Sequence, residues 1–368
     1  MPSAIVIGAG VVGATIAREL SSAGVQVRLL DARTPGGGAT RASAGILAPY
    51  VEGHASSPLR ELGRQSLDLY DEFIIRLRRD SHRDIVYERS GTLEVALTQE
   101  EAERLSAASA TLWREGVEAR WVPPAVLPDL EPNLSPHATG GLLIPMHGFV
   151  GVASLTSAAV AVAEERGAHV MVETGALGVR STAGGGVEVR AAAGTWEADF
   201  CVMAAGSWSS AVDVEGADAV PVTPVRGQLL QLGADRGLLG RVTWGAAGYL
   251  VPWPDGSILV GGTVEDVGFD ESTTQEGRRG LIDMAVALVP ALTNAGINDF
   301  RAGLRPRGPD DLPIVGRSKA VPGLIYATGH YRNGVLLAPL TADLVRKLIV
   351  DPAAATIPAL DPLRCGNL

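Results

Sequence analysis

Ser3-Ala4-Ile5-Val6-Ile7-Gly8-Ala9-Gly10-Val11-Val12-Gly13-Ala14, continued by Gln26-Val27-Arg28-Leu29-Leu30-Asp31, decides the fold of this chain. The first five residues read as a buried strand, Ala14 to Leu20 as a helix, and Gln26 to Leu30 as a second strand that ends on an acid. Strand, G-x-G-x-x-G turn, helix, strand and acid within about 30 residues is the arrangement that cradles a dinucleotide. Gly8 permits the tight turn, Gly10 has no side chain to hold a pyrophosphate off the backbone, and Gly13 lets the helix approach the sheet. The helix N-terminus then offers unpaired N–H groups and a positive dipole end to phosphates. Asp31 is placed to accept hydrogen bonds from a ribose 2′-OH and to repel a 2′-phosphate.

The chain has 368 residues, which suits two domains better than one core. Its apolar fraction is 46% and its charged fraction 20%, the composition of an ordinary globular protein. Net charge is −10 and only two lysines occur, Lys319 and Lys347, so nucleic acid is not an expected partner. Cys201 lies in the apolar run Phe200-Cys201-Val202-Met203 and reads as a core thiol, and Cys365 stands apart. Two such cysteines form neither a disulfide framework nor a metal spacing, and no metal is expected. The expected location is a reducing cytoplasm. Ala4 to Ala17 is apolar but no basic residue precedes it and its glycines fall in the nucleotide pattern, so it is not read as a leader. No run of 18 apolar residues occurs, so no membrane span is expected.

Further along, residues 34–49 form a long loop of small residues, the kind that can lie against a flat ligand. Helices are expected over 58–79, 99–115, 152–167, 274–289 and 336–349. Strands are expected over 169–172, 186–191, 195–198, 226–232, 248–252 and 258–262, with 85–95 extended and 123–136 irregular. Phe200 to Met203 and Leu324 to Thr328 repeat the first motif's logic, each a buried strand running into a glycine, at Gly206 and Gly329. The β-α-β units at the start, middle and end predict a nucleotide domain built from 1–82, 145–215 and 300–368. A substrate domain made of 83–144 and 216–299 interrupts it twice.

Chemistry concentrates toward residue 340. Ala302-Gly303-Leu304-Arg305-Pro306 is followed by Thr328-Gly329-His330-Tyr331-Arg332-Asn333-Gly334-Val335-Leu336, a strand, a turn and a helix start. Arg305 and Arg332 are suited to clamp a carboxylate through paired hydrogen bonds, and the Tyr249 phenol upstream could join them. Ser207-Trp208 does not form a nucleophile elbow, so a hydrolase is not expected. His330 is read as a structural or ligand-contacting histidine before a general base. His54, His82, His137, His147 and His169 have no partner pattern and are read as structural or surface groups.

With these four segments (the Gly8 fingerprint, Ala42 to Pro49, Ala302 to Pro306 and Gly329 to Gly334), the chain resembles the D-amino-acid-oxidase-like flavoproteins. Within them it resembles the glycine oxidases of thiamine biosynthesis, and Arg332-Asn333-Gly334 is the most specific part. The resemblance covers nearly the whole length. It implies an α/β fold, a Rossmann-like FAD-binding domain of the glutathione-reductase type with an inserted antiparallel-sheet α+β substrate domain. It also implies non-covalent FAD, since no cysteine lies between Arg305 and Arg332 to carry a covalent link. By carry-over, Gly8, Gly10, Gly13, Val11, Val12, Asp31 and Ala32 hold the pyrophosphate and adenosine ribose. Thr40, Arg41, Ala44, Gly45 and Ile46 line the flavin, Ala176 meets the adenine side, and Gly206 approaches the cofactor. His330, Tyr331, Arg332, Asn333, Gly334, Val335 and Leu336 wrap the isoalloxazine from the other end. Tyr249 and Arg305 bind the substrate carboxylate and Arg332 faces the substrate.

The implied activity is oxidation of glycine, sarcosine or small D-amino acids to the imine and 2-oxo acid, with O2 reduced to hydrogen peroxide. Homo-oligomers and thiazole-synthesis proteins are the implied partners. Two departures, Trp253 after Pro252 and Val264 after Thr263, imply a pocket of different width from those of relatives. Three other readings stay open: a D-amino-acid dehydrogenase passing electrons to a quinone or other carrier, a non-catalytic flavin-holding subunit, and a nicotinamide dehydrogenase. The nicotinamide reading assigns no role to the second glycine motif or to Arg332-Asn333-Gly334.

Overall fold

The computed structural model describes residues 1–51 and 57–368; His54 lies outside them. A six-stranded sheet forms the centre, in the order Ile314–Arg317, Leu324–Thr328, Phe200–Met203, Ser3–Ile7, Gln26–Leu30, His169–Met171. All neighbours are parallel except the first pair. Parallel strands are covered on both faces, which is why Ala4 to Ile7 is apolar without interruption.

Successive side chains point to opposite faces and so enter different cores. Ala4, Val6, Leu29, Val202 and Ile325 pack with the helices Val11–Ser22, Pro58–Ser81, Val152–Glu165 and Gly334–Val350. Ile5, Ile7, Leu30, Cys201, Met203 and Tyr326 pack on a second sheet ordered Gly194–Ala198, Val187–Ala191, Ala176–Ser181, Asp213–Val214. Cys201 is fully buried there and burial pushes its thiol pKa up, in keeping with a core role.

The second domain is an eight-stranded sheet, ordered Ile297–Arg307, Thr223–Leu232, Ile258–Gly261, Gly248–Pro252, Val242–Gly245, Thr92–Ala96, Gly140–Ile144, Arg120–Val122. All its neighbours are antiparallel except Val242–Gly245 with Thr92–Ala96. Helix Gln275–Leu288 covers part of it through Leu281, Met284, Ala285 and Leu288. Helix Gln99–Arg114 covers another part through Leu105 and Leu112, and opens on a capping box between Thr98 and Glu101. Leu229, Val251 and Leu259 instead pack against Ala44, Val51 and Phe149, which joins the two domains. No helix among the described residues is long and apolar enough to cross a membrane.

Ile297–Arg307 is an edge strand that the sequence reading does not recognise. Its first residues, Ile297 to Asp299, are exposed and Pro306 cannot donate to a ladder, so neither alternation nor β propensity marks it. It pairs along its length with Thr223–Leu232, from Leu232 opposite Ile297 to Thr223 opposite Arg307. A boundary at 299/300 cuts this strand, and we place that boundary after Arg307.

The helix Gly334–Val350 contains Pro339, which has no N–H to give the carbonyl of Val335 four residues back. The hydroxyl of Tyr70, fully buried on helix Pro58–Ser81, donates to that carbonyl instead. Ser66 Oγ, one turn earlier, accepts from Leu340 N–H at 3.3 Å. Two groups on one helix therefore stitch the irregular turn of another. Tyr70→Phe should leave the Val335 carbonyl buried without a donor and cost about 1–3 kcal/mol. The check is the thermal midpoint of the FAD-loaded protein, expected to fall by several degrees; an unchanged midpoint would show that the stitch contributes nothing.

Candidate active site

A cavity of about 530 Å3 lies between the central sheet and the eight-stranded sheet. Its nucleotide end is the first glycine turn. Gly8 has φ +102°, and a Cβ there would sit 2.3 Å from the carbonyl oxygen of Ala204 on the neighbouring strand's exit. A Cβ on Gly13 would sit 1.9 Å from Gly8 O, so Gly13 packs the helix onto the turn and does not itself line the cavity. Gly10 meets nothing nearer than Thr40 Oγ1 at 3.3 Å, and its open side faces the cavity.

Asp31 Oδ2 accepts from Ala9 N–H at 2.6 Å and Oδ1 from Arg33 N–H at 2.7 Å. Burial raises its pKa, and the two N–H groups and the Arg33 charge oppose that rise. Each oxygen keeps a second lone pair for a ribose hydroxyl. Val11 lines the cavity as well, and its N–H donates to Thr40 Oγ1 at 3.0 Å. Thr40 thus ties the 34–49 loop to the helix start.

Ala32, Ala44, Gly45, Ile46, Ala176 and Gly206 line the cavity, as do Val12 and the whole of His330 to Leu336. Gly45 has φ +73°, and a Cβ on it would lie 1.9 Å from Val150 O, which fixes the loop against strand Gly148–Val150. Arg41 is exposed and does not line the cavity, although Thr40 and Ala42 beside it do. A single 3-10 turn, Ala39–Ala42, cannot direct every residue to one side.

Trp208 and Arg33 are lining residues that no sequence signal marks. The Arg33 guanidinium lies 4.4 Å from the Trp208 ring and pairs with both oxygens of Glu271 at 3.0 and 2.6 Å. Ser207 Oγ donates to Leu304 O at 2.9 Å, and Ser209 Oγ shares a hydrogen bond with Thr328 Oγ1 at 2.7 Å. Both hydroxyls are structural ties, consistent with the absence of a nucleophile motif.

At the other end stand Tyr249 and Arg305. The Arg305 guanidinium lies flat on Gly227, where a Cβ would come within 2.1 Å of Nη2. A Cβ built on Gly262 would be 2.8 Å from Arg305 Nη2 and 3.1 Å from the Tyr249 hydroxyl, so these two polar groups converge. Arg305 Nη1 donates to Thr263 O at 2.7 Å and reaches Arg226 O at 3.5 Å. Trp244 packs beside Tyr249 with ring centroids 4.9 Å apart. Arg332 lines the cavity from the turn after strand Leu324–Thr328 and is exposed. Tyr331 N–H donates to Pro306 O at 2.8 Å, which anchors this turn to the Arg305 strand. Trp253 stacks on Phe149 at 5.4 Å and Val264 is half exposed, and neither lines the cavity. The width expected to follow from them is set by other residues. Among the described residues, no group of three or more His, Cys, Asp or Glu could hold a metal ion.

His330 is 3% exposed, and its Nε2 shares a hydrogen bond with Thr341 Oγ1 at 3.0 Å. Burial lowers its pKa to about 4. A neutral ring tied to a helix threonine is a structural group rather than a base aimed at substrate. His147, fully buried on Thr92 Oγ1, is lowered by burial to about 3. Both folded pKa values lie below the unfolded value of 6.5, so the stability they carry is complete above pH 6.5 and is lost as pH falls toward 4. Each proton taken up only on unfolding gives a slope of about 1.4 kcal/mol per pH unit in that window. Thermal midpoints should therefore drop between pH 7 and 5, and His147→Gln should make that drop shallower; an equal drop in the variant would refute the assignment.

The chain matches the family described as DAO, FAD dependent oxidoreductase, over residues 3–348. Glycine oxidase of Geobacillus kaustophilus is 33% identical over 347 residues, which cover 94% of this chain and 92% of that one. The bifunctional protein ThiO/ThiG of a Nostoc species is 34% identical over 352 residues, 94% of this chain but 52% of that relative's length. The crystal structure of the Geobacillus kaustophilus glycine oxidase has a TM-score of 0.92 at 30% identity and covers 98% of both chains. The match runs through both large sheets and the whole cavity wall between them, and so this chain belongs to the FAD-dependent oxidoreductase family, with FAD as its cofactor.

Proposed function

We propose that the chain oxidises the amino group of a small amino acid, with glycine, sarcosine and small D-amino acids as the substrate class. The observation that carries this is that Arg305 and Tyr249 both line the cavity and that Arg305 Nη2 and the Tyr249 hydroxyl converge beside Gly262. A guanidinium fork and a phenol suit a carboxylate, and a clamp at one end of the cavity leaves the amine end to face the cofactor. The glycine oxidase names of relatives at 32–33% identity support the same class.

The residues present fit FAD. Gly10 leaves the cradle open, Asp31 keeps lone pairs for a ribose, and the cavity runs from Asp31 and Ala176 to Tyr249 and Arg305. Gly10, Val12 and Asp31 would hold its pyrophosphate and ribose, and the 42–46 and 330–336 segments would hold its ring system. Bound FAD supplies the two-electron acceptor for the amine. Arg305 spends Nη1 on backbone carbonyls and presents the Nη2 side of its fork to the carboxylate. Tyr249 adds a hydroxyl, and its ring is packed against Trp244. Fixing the carboxylate orients the α-C–H and the neutral amine, a positioning effect worth up to about 7–11 kcal/mol when near-attack geometry is held. The substrate leaves as an imine, water converts it to the 2-oxo acid with release of ammonia (methylamine from sarcosine), and O2 takes the two electrons with two protons as hydrogen peroxide. A relative in which the matching region shares its polypeptide with ThiG supports delivery of the imine to thiazole assembly for thiamine.

Anaerobic addition of glycine to the yellow protein should bleach the flavin absorbance, and air should restore it with peroxide formed. Bleaching without recovery in air would assign a dehydrogenase that needs a carrier. No bleaching with glycine, sarcosine or D-proline would remove the small amino acid class. Arg305→Ala should retain FAD and raise the apparent KM by roughly 10- to 100-fold, the equivalent of about 1.5–3 kcal/mol for a hydrogen bond to a charged group. An unchanged KM would remove the clamp.

A further inference from the structure

Behind Arg305 lies a charged network that no step above uses. Arg226 is 4% exposed and Gln228 1% exposed, both on strand Thr223–Leu232. Arg226 and Glu265 bind each other through their main chains, N–H to carbonyl in both directions, at 2.9 and 3.0 Å. Their side chains pair as well, with Arg226 Nε 3.1 Å and Nη2 2.5 Å from Glu265 Oε2. Glu265 Oε1 accepts from Gln228 Nε2 at 2.8 Å and from the Thr263 hydroxyl. Thr263 Oγ1 in turn accepts from Gln228 N–H at 2.9 Å. Four donors therefore aim at the two oxygens of one carboxylate, and Thr263 is held through both roles of its hydroxyl.

The two carbonyl oxygens that receive Arg305 Nη1 belong to Thr263 and Arg226, the same residues that Glu265 holds. Among the described residues Arg305 is given no carboxylate partner, so its charge is aimed by carbonyls and kept for a ligand. Asp270 Oδ2, 2.5 Å from Arg226 Nη1, adds a second carboxylate to Arg226. The network thus places its negative charges on Arg226 and its carbonyls on Arg305.

We propose that Glu265 is a positioning residue for substrate binding, acting through Thr263 and Arg226 on the aim of Arg305. The inference rests on the carboxylate clamp proposed above. A glutamine at 265 has one acceptor oxygen, and its NH2 would confront donors from Arg226 or from Gln228 and Thr263. Either way a buried donor loses its partner, and the Thr263 carbonyl is no longer fixed.

The test uses the FAD-loaded protein and acetate, a carboxylate with no amine, with its dissociation constant read from the change it makes in the flavin spectrum. Glu265→Gln should weaken acetate about 10-fold and raise the KM for glycine by a similar factor, with kcat within about twofold and FAD retained. Thr263→Val, which removes only the bridging hydroxyl, should shift both in the same direction by less, and it serves if Glu265→Gln does not fold. Arg305→Ala is the reference for a lost clamp. If Arg305→Ala loses acetate while Glu265→Gln and Thr263→Val bind it as the parent does, the positioning role is wrong and the clamp stands. If Arg305→Ala binds acetate unchanged, the clamp itself is wrong and the inference falls with it. A fall in kcat and FAD retention without a selective loss of acetate would mark Glu265 as merely structural and overturn the proposal.

Discussion

The contact between Gly13 and the carbonyl of Gly8 is the constraint on which the rest of the nucleotide half depends. A side-chain carbon would have to fit within 1.9 Å of that oxygen, so the helix can reach the sheet only because none is there. Once the helix is seated, Ala9 N–H meets the Asp31 carboxylate and Val11 N–H meets Thr40. Those two bonds draw the end of the second strand and the start of the 34–49 loop onto the same turn. The cradle is therefore one packed object, and its open space is where Gly10 leaves it.

The clamp end is built by a different principle. Arg305 stands on an edge strand, where a long cation keeps partial access to solvent, and two glycines, Gly227 and Gly262, let its planar group lie against backbone. Carbonyl acceptors steady a guanidinium without neutralising it, whereas a carboxylate in their place would compete with the ligand. The separation of charge between Arg226, which takes the acids, and Arg305, which takes the carbonyls, is what leaves a binding charge in a protein with net −10.

The parts legible in the sequence were those written locally. The fingerprint, its two strands and Asp31 lie within one short segment, and the alternating cores on the two faces follow from the strand period. The 248–252 strand and the hairpin of Val187–Ala191 with Gly194–Ala198 are equally local. Arg305, Arg332 and Tyr249 are legible as candidate carboxylate binders from their chemistry and glycine-bounded motifs, but nothing in their spacing says that they share a cavity. The Ile297–Arg307 strand is hidden by its polar start and by Pro306, and Arg41 is exposed and lies off the cavity because a single helical turn cannot turn every residue to one side. Pairings such as Tyr70 with Val335, 265 residues apart, or Arg33 with Glu271, 238 apart, have no local signature. Each depends on the whole fold to bring its members together.

The central sheet also imposes an order on synthesis. Strand Ser3–Ile7 pairs with Phe200–Met203, which pairs with Leu324–Thr328, and the cavity wall closes on residues 330–336. On a ribosome the glycine turn emerges well before residues 330–336, and its cradle is complete only after both distant strands have followed. The face that buries Ile5, Ile7 and Cys201 takes Val179, Val187 and Val189 early and Leu324 and Tyr326 only late, and a partly built sheet of this kind exposes apolar surface. The cofactor motif therefore appears in the chain long before residues 330–336 complete the cavity it belongs to.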